Sequence, residues 1–384
     1  MAVQTGTRSS YYPRATETSM VRDVADRIAL LQPEAAPLVT FLNALKRKKE
    51  AISPKFEWLE DDLVPQTVNV DTAIGQSTTV AIHSADAPKV RNGDVLIAPA
   101  GEAMRVTSGQ GTVTLTVVRT LGGGTTESLA DDDQLIIAGN ACDEGQTVPL
   151  YRWNPKSAVS NYIQIFRDPV VITDSQDASE SYGGNDRVYQ RKKVAIEHKR
   201  GIETAFLLGQ QYESTNIRST KGLYGFISTN TKDFGGTITE AELETFLRTV
   251  FRYNASVNPA TKVMFAAPIM ISAINFWAKN ALQVTTSEKT YGMRIATYRS
   301  GHGDLDIVRH WLLQDFANFD DKFFIVDPGN LSYRFLRGLD TKLHLDIGDK
   351  TYDYTVDEYR TYAGFQCELE KTHGLGYNVT GFAA

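Results

Sequence analysis

The stretch DRVYQRKKVAIEHKRGIETAFLLG, Asp186 to Gly209, organises this chain. It contains no proline and one internal glycine, Gly201. Val188, Ala195, Ile202, Phe206 and Gly209 recur at intervals of seven, seven, four and three, which lines a narrow apolar stripe along a helix. Charge fills most other positions. Lys193–Glu197 and Lys199–Glu203 lie four apart and can pair along the surface. Asp186 is the predicted N-cap and Gly209 the predicted end. Such a helix spans roughly 35 Å at about 1.5 Å per residue. Two roles fit it. It is a solvated helix packed on one side, or a spine whose charged flanks (Arg191, Lys192, Glu197, Lys199, Arg200, Glu203) meet neighbouring copies of the chain.

Composition bounds the class. A length of 384 residues predicts two or three folding units, and 42% hydrophobic content supports real cores. A net charge of −6 argues against a chain built throughout to grip nucleic acid. Cys142 and Cys367 stand far apart without CxxC spacing, against a disulfide framework or a thiolate metal site. No apolar run approaches the roughly 20 residues of a membrane span. The opening MAVQTGTRSSYYPR lacks the apolar core of a signal peptide. The expectation is a soluble, cytoplasmically made protein with no membrane contact. Its 17 Tyr and 17 Phe suit burial of aromatic surface, within the chain or against partners.

Ahead of the spine, residues 1–20 are rich in Ser and Thr without apolar periodicity and read as an arm. Met20–Leu31 predicts a short amphipathic helix ended by Pro33, and Leu38, Phe41, Leu42 and Leu45 predict another. The cluster Lys46-Arg47-Lys48-Lys49 reads as a solvated helix end, or as a contact for a polyanion or for an acidic patch on another subunit. Neither helix can form a core alone. From residue 63 to about 150, Lys and Arg become scarce and Thr, Val and Gly dominate. Asn92-Gly93 signals a hairpin, Val113, Leu115 and Val117 alternate with threonines, and Leu135-Ile136-Ile137 is a short strand. Residues 88–139 therefore predict a small antiparallel β module within a longer extended excursion.

Beyond the spine, Thr239 and Glu242 form a capping box. Strands over Lys262–Ala267, Leu305–Val308 and Phe323–Val326 alternate with a helix over Ile269–Leu282, predicting a mixed α/β unit over 223–330. Tyr352–Leu369 alternates as one long strand, with Gly374 and Gly376 breaking the pattern after it.

No constellation with catalytic spacing emerges. The six histidines are scattered, no GxSxG or GxGxxG occurs in context, and the Gly122-Gly123-Gly124 turn is not followed by the Lys of a phosphate loop. His302 with Asp304 and Asp306 is the best metal-like cluster, and a polar turn is the simpler account. Asp131-Asp132-Asp133 reads as a turn capped by its own oxygens, with an ion there as the alternative. The expectation is no enzyme, no metal and no cofactor.

The order of these parts resembles the major capsid proteins of tailed bacteriophages with the HK97-like fold, in a branch with an elaborated extended loop. The resembling pieces are Pro37–Leu42 before the basic cluster, Lys55–Asp61, Ile163–Arg167, the helix Lys192–Gly209 and the closing Tyr352–Gly376. The resemblance implies an α+β capsid fold. Residues 1–53 become the N-terminal arm, and 54–165 the extended loop carrying the β insertion. Residues 166–222 become a peripheral domain with spine helix 186–210, 223–330 an axial domain, and 331–384 a return to the peripheral domain. It implies pentamers and hexamers of the chain in an icosahedral head shell around packaged double-stranded DNA, assembled in the host bacterial cytoplasm. A portal is an implied partner, as is non-specific contact with the packaged DNA; because the arm-like sequence begins at Met1 and leaves no room for a cleavable scaffold, a separate scaffolding protein or none is implied, and a decoration protein is a further candidate partner. Lys46, Arg47, Lys48, Lys49 and the spine charges are the implied inter-subunit contacts. A β-rich tail or decoration protein binding a ligand through 88–139 is the alternative, and a metal hydrolase using His302, Asp304 and Asp306 is a third reading.

Overall fold

The computed structural model describes residues 36–145, 148, 151–179, 185–253, 261–281, 285–286, 295–316, 318–349 and 351–383. The predicted helix Met20–Leu31 and the arm before it lie outside these residues. The chain divides into two units, Met1–Glu57 with Ser160–Ala384, and Trp58–Val159.

The first unit contains two sheets. One has the order β1 (Lys48–Ala51), β19 (Leu331–Leu336), β21 (Tyr354–Cys367), β10 (Gln164–Thr173), with β20 (Lys342–His344) also on β21. Along β10, Phe166, Val170 and Ile172 are buried while Ile165, Arg167 and Val171 are not, the alternation of a strand with one covered face. The helix Asp186–Leu208 packs on β10 and β21. Its Phe206 ring lies 5.3 Å from both Tyr333 and Phe365. The N-cap is Asn185, one residue before the predicted Asp186. Asn185 has extended backbone and accepts from the Val188 amide at 3.1 Å. The predicted stripe holds only toward the C-terminal end. Ile202 and Phe206 are buried, whereas Val188 is 46% exposed.

The reason is the short helix Pro37–Ala44, which buries Leu38, Phe41 and Leu42. The assignment of 1–53 to an arm therefore needs correction from residue 36 onward, because these residues complete the core of their own chain. Only the first half of the basic cluster is a helix end: the Lys46 and Arg47 amides donate to the Asn43 and Leu42 carbonyls of the last turn. Lys46 (φ +55°) turns the chain, and Lys48 and Lys49 enter β1, parallel to β19.

The second sheet has the order β13 (Thr231–Ile238), β22 (Gly374–Phe382), β18 (Phe323–Val326), β14 (Thr261–Ala266), β17 (Gly303–Arg309), β16 (Ile295–Ser300), β15 (Thr285–Thr286). The capping box appears as expected: Thr239 accepts from Glu242, and Glu242 reaches back to Thr239. That helix, Glu240–Phe251, and the helix Pro268–Ala281 supply Phe246, Val250, Ile274 and Trp277 to one core. Gly374 and Gly376 do not break a strand; they lie inside β22. A Cβ at Gly376 would sit 2.2 Å from the Phe323 ring, and one at Gly374 would sit 2.6 Å from Val250. The C-terminal strand thus belongs to this sheet, which extends past the predicted 223–330.

In the second unit, six strands follow the order β3 (Thr67–Asn69), β8 (Gln134–Asn140), β5 (Asp94–Ile97), β6 (Ala103–Ser108), β7 (Thr114–Val118), β4 (Thr79–Ala81). A bridge between Val70 and Ile82 joins the first to the last, with Asp71 donating to Ala81 and His83 donating to Asn69, each at 3.1 Å. The strands close into a barrel whose interior is filled by Val68, Leu96, Met104, Leu115, Leu135 and their neighbours. The module therefore begins before residue 88, since closure needs β3 and β4. Asn92-Gly93 turns the chain into β5 rather than linking two strands, because a 3-10 helix, Ala87–Lys89, precedes it. Arg119 is buried against Glu102 and also donates to the carbonyls of Gly75, Ser77 and Glu127. That set satisfies most of a buried guanidinium. Two ribbons complete the fold, β2 (Lys55–Glu60) with β9 (Ser157–Tyr162), and β11 (Tyr212–Ser214) with β12 (Ile217–Ser219).

Candidate assembly surfaces

Where each charged side chain points decides which of them a neighbour could meet. Glu203 is buried and faces inward, not toward Lys199. Its Oε1 accepts from the Leu38 amide at 2.6 Å and from His310 Nε2 at 2.7 Å, and its Oε2 accepts from the Val39 amide at 2.8 Å. The helix Pro37–Ala44 has no side-chain cap of its own. The carboxylate supplies one from another element, at the end where backbone amides are free and the dipole favours negative charge. One residue so links the arm-proximal helix, the spine and the residue that follows β17.

Arg191 also turns inward. Arg187 donates twice to Asp357 at 2.8 Å, and Arg191 donates to the same carboxylate at 2.7 Å. Burial alone would raise the Asp357 carboxyl, but the two guanidiniums hold it well below the usual carboxylate range. The next residue, Glu358, is also buried and closes on Arg167 and Arg360. Hydrogen bonding from Arg167 outweighs burial there and lowers the Glu358 carboxyl too. Two consecutive residues of β21 point to opposite faces, so one strand clamps four arginines.

The remaining predicted contacts are spread. Lys48 pairs with Asp340 and lies over the Tyr333 ring, while Lys49 is 3.8 Å from Glu368. Lys193 and Glu197 pair at 3.9 Å as predicted, and Arg200 reaches Asp315 at 3.5 Å. Lys46, Lys192 and Lys199 are exposed and Arg47 is half-buried.

His198 bridges Asp168, at 2.5 Å, and Thr361, at 2.6 Å. The order carboxylate–imidazole–hydroxyl is that of a nucleophilic triad. Thr361, however, is fully buried in β21 and donates its hydroxyl to Thr341, so no substrate can reach it. His302, Asp304 and Asp306 do not converge; Asp306 accepts from Thr297 across the β16–β17 hairpin. Asp133 caps its own turn by accepting from the Ala130 amide at 2.6 Å. Among the described residues the group whose ligand atoms do converge is His83, Asp131 and Asp132, on an exposed face of the barrel. His83 is already engaged there by Asp132 and the Val70 carbonyl.

A family model described as the SU10 major capsid protein matches residues 3–380. The chain belongs to that family. It is a major capsid protein, a structural component of a virion shell and not an enzyme. It is 24% identical over 257 residues to the major capsid protein of Pseudomonas phage PaMx41, an alignment spanning 63% of this chain and 61% of that relative. Among solved structures it is similar to a chain of the cyanophage A-1(L) capsid asymmetric unit, at 10% identity and a TM-score of 0.54, covering 94% of this chain and 97% of that one. That likeness shows the HK97-like fold. The capsid of Myoviridae phage XM1 is also similar, at 10% identity and a TM-score of 0.45, over 98% and 100% of the two chains. No helix among the described residues is long and apolar enough to cross a membrane. In this capsid protein the inward roles of Glu203, Arg191, Asp357 and His310 were not readable from periodicity. Each has its partner more than 100 residues away. The one local signal was Glu203, a carboxylate one place from the apolar stripe at Ile202.

Proposed function

We propose that copies of this chain assemble, through pentamers and hexamers, into the icosahedral head shell that encloses packaged phage DNA. The observation that carries the reading is the set of exposed large apolar side chains in the segments that precede and follow the barrel in sequence. Leu59 is 71% exposed, Leu63 and Val148 are each 93% exposed, and Tyr151 is 85% exposed. A lone chain gains nothing from leaving such side chains in water, and neighbours that cover them gain about 25 cal/mol per Å² buried. In this reading residues 54–165 form the extended loop with the barrel upon it, and 166–222 with 331–384 the peripheral domain. Residues 223–330 form the axial domain, joined by β22. A portal and a separate scaffolding or decoration protein are the further partners. Lys46, Lys192 and Lys199 are exposed without an ion pair among the described residues and are the charges left to meet neighbours, since Glu203 and Arg191 are engaged within the chain.

Electron microscopy of the purified protein tests this. Hollow icosahedral particles are expected. A discrete small oligomer would instead support a tail or decoration protein that binds a ligand through its barrel.

A further inference from the structure

The barrel closes at a seam. β3 and β4 are three residues each, and they meet through the Val70–Ile82 bridge, with the Asp71 and His83 amides donating across it. The turn into β8 comes back onto the same strand end. The Val70 amide donates to the Asp133 carbonyl, and the Asp132 amide donates to the Val70 carbonyl, each at 3.0 Å. At this junction the ligand atoms of His83, Asp131 and Asp132 all lie within 4.8 Å of one another. His83 Nε2 stands 3.1 Å from Asp132 Oδ1 and 3.1 Å from the Val70 carbonyl oxygen. Donors bound to one zinc ion at about 2.0–2.2 Å sit about 3.0–3.4 Å from each other, so the His83–Asp132 spacing needs little adjustment.

The two carboxylates also lack a permanent counter-charge. Every Lys and Arg between Trp58 and Val159 pairs with a carboxylate other than these two. Asp131 makes no hydrogen bond or ion pair among the described residues. Asp132 faces only His83, whose ring is charged only when protonated.

We propose that His83, Asp131 and Asp132 hold a divalent ion of the zinc class at the barrel seam, with the Val70 carbonyl offering a further oxygen, and that the ion staples β3, β4 and the turn before β8. The imidazole decides the class. Calcium and magnesium take oxygen ligands, whereas imidazole suits zinc, nickel and copper. His83 ligates through Nε2 as the neutral ring, with its hydrogen on Nδ1. A surface ion pair is the competing account, and it predicts no dependence on metal. The site lies wholly within the barrel unit and goes beyond the shell reading, so zinc binding is measured without any particle.

The test uses the full chain, freed of metal by a chelator and titrated with zinc chloride, read by calorimetry and by amide exchange. One site is expected, with exchange slowed at the Asp71 and His83 amides that cross the seam. Asp131→Asn removes a ligand that holds nothing else in the chain, so the fold is retained, and His83→Gln removes the nitrogen. Loss of even an outer partner of a metal ligand typically costs about 10–100-fold in affinity, so each variant should lose at least about tenfold. His302→Gln, in the exposed β16–β17 turn, should bind zinc as the wild type does. Calcium chloride should bind at least about tenfold more weakly than zinc. The proposal is overturned if the metal-free chain takes up no zinc, if either variant binds zinc as the wild type does, or if calcium binds more tightly. Zinc bound without slower exchange at the two seam amides overturns the staple.

Discussion

The carboxylate of Glu203 accepts a hydrogen bond from the Leu38 amide at 2.6 Å, across 165 residues of sequence. It ties the first described helix to the spine by capping that helix with a charge from elsewhere. Glu203→Gln keeps the shape but leaves one acceptor oxygen, so one of the two charge-assisted backbone hydrogen bonds is lost and the other weakened, each typically worth about 1.5–3 kcal/mol. A loss of about 2–4 kcal/mol is expected in urea unfolding. Amide exchange at Leu38 and Val39 should quicken well before the spine opens. Unchanged protection at both amides would show that the cap is idle.

The same contact moves the boundary for truncation. Removing residues 1–35 should leave the thermal midpoint intact while preventing closed particles. Removing residues 1–50 should also unfold the first unit. It strips Leu38, Phe41 and Leu42 from the core, deletes β1, and leaves the Glu203 carboxylate buried without its two amides. Calorimetry on the two truncations separates the effects. Equal midpoints would mean that residues 36–50 are dispensable to the fold.

Gly376→Ala should destabilise by about 2–3 kcal/mol, because its Cβ would fall 2.2 Å from a buried Phe323 ring in a paired strand. Gly124→Ala has open space and no positive φ, so it should stay within about 0.5 kcal/mol. Denaturant midpoints of the pair compare the two sites. Equal midpoints would refute the packing argument.

His373 sets an acid limit. It is fully buried, its Nδ1 accepts from the Asp327 amide, and its Nε2 faces the Glu368 carbonyl. That environment fits the neutral ring, and burial lowers its pKa from 6.5 to about 4. The unfolded chain therefore binds the proton first. Stability should fall as pH drops from about 6.5 to about 4, by about 3 kcal/mol from this group. His373→Asn should flatten the stability–pH curve in that window. An unaltered curve would assign the acid sensitivity to other groups.

Much of the architecture was legible in local pattern. The spine, the capping box at Thr239, the strand Phe323–Val326 and the long strand ending at Cys367 all stand where periodicity placed them. The barrel's middle was legible too, from threonines alternating with valine and leucine. Its closure was not, because Thr67–Asn69 and Thr79–Ala81 are three residues each and carry too little pattern to identify. The glycines of β22 misled for a related reason. A glycine that admits a neighbouring ring looks, in sequence, like one that ends a strand.

By itself the sequence determined which segments become helix or strand, because hydrogen-bond ladders and side-chain periods are set by residues a few places apart. It also determined the order of parts that marks a capsid subunit. Only the tertiary structure decided the partners of the charges. Arg191 and Glu203 look like Lys192 and Lys199 when read along one helix, yet the first two are held by partners within the chain and the last two face water. A charged side chain is settled by whichever distant group enters its low-dielectric surroundings, and nothing in its own neighbourhood of the chain records that choice.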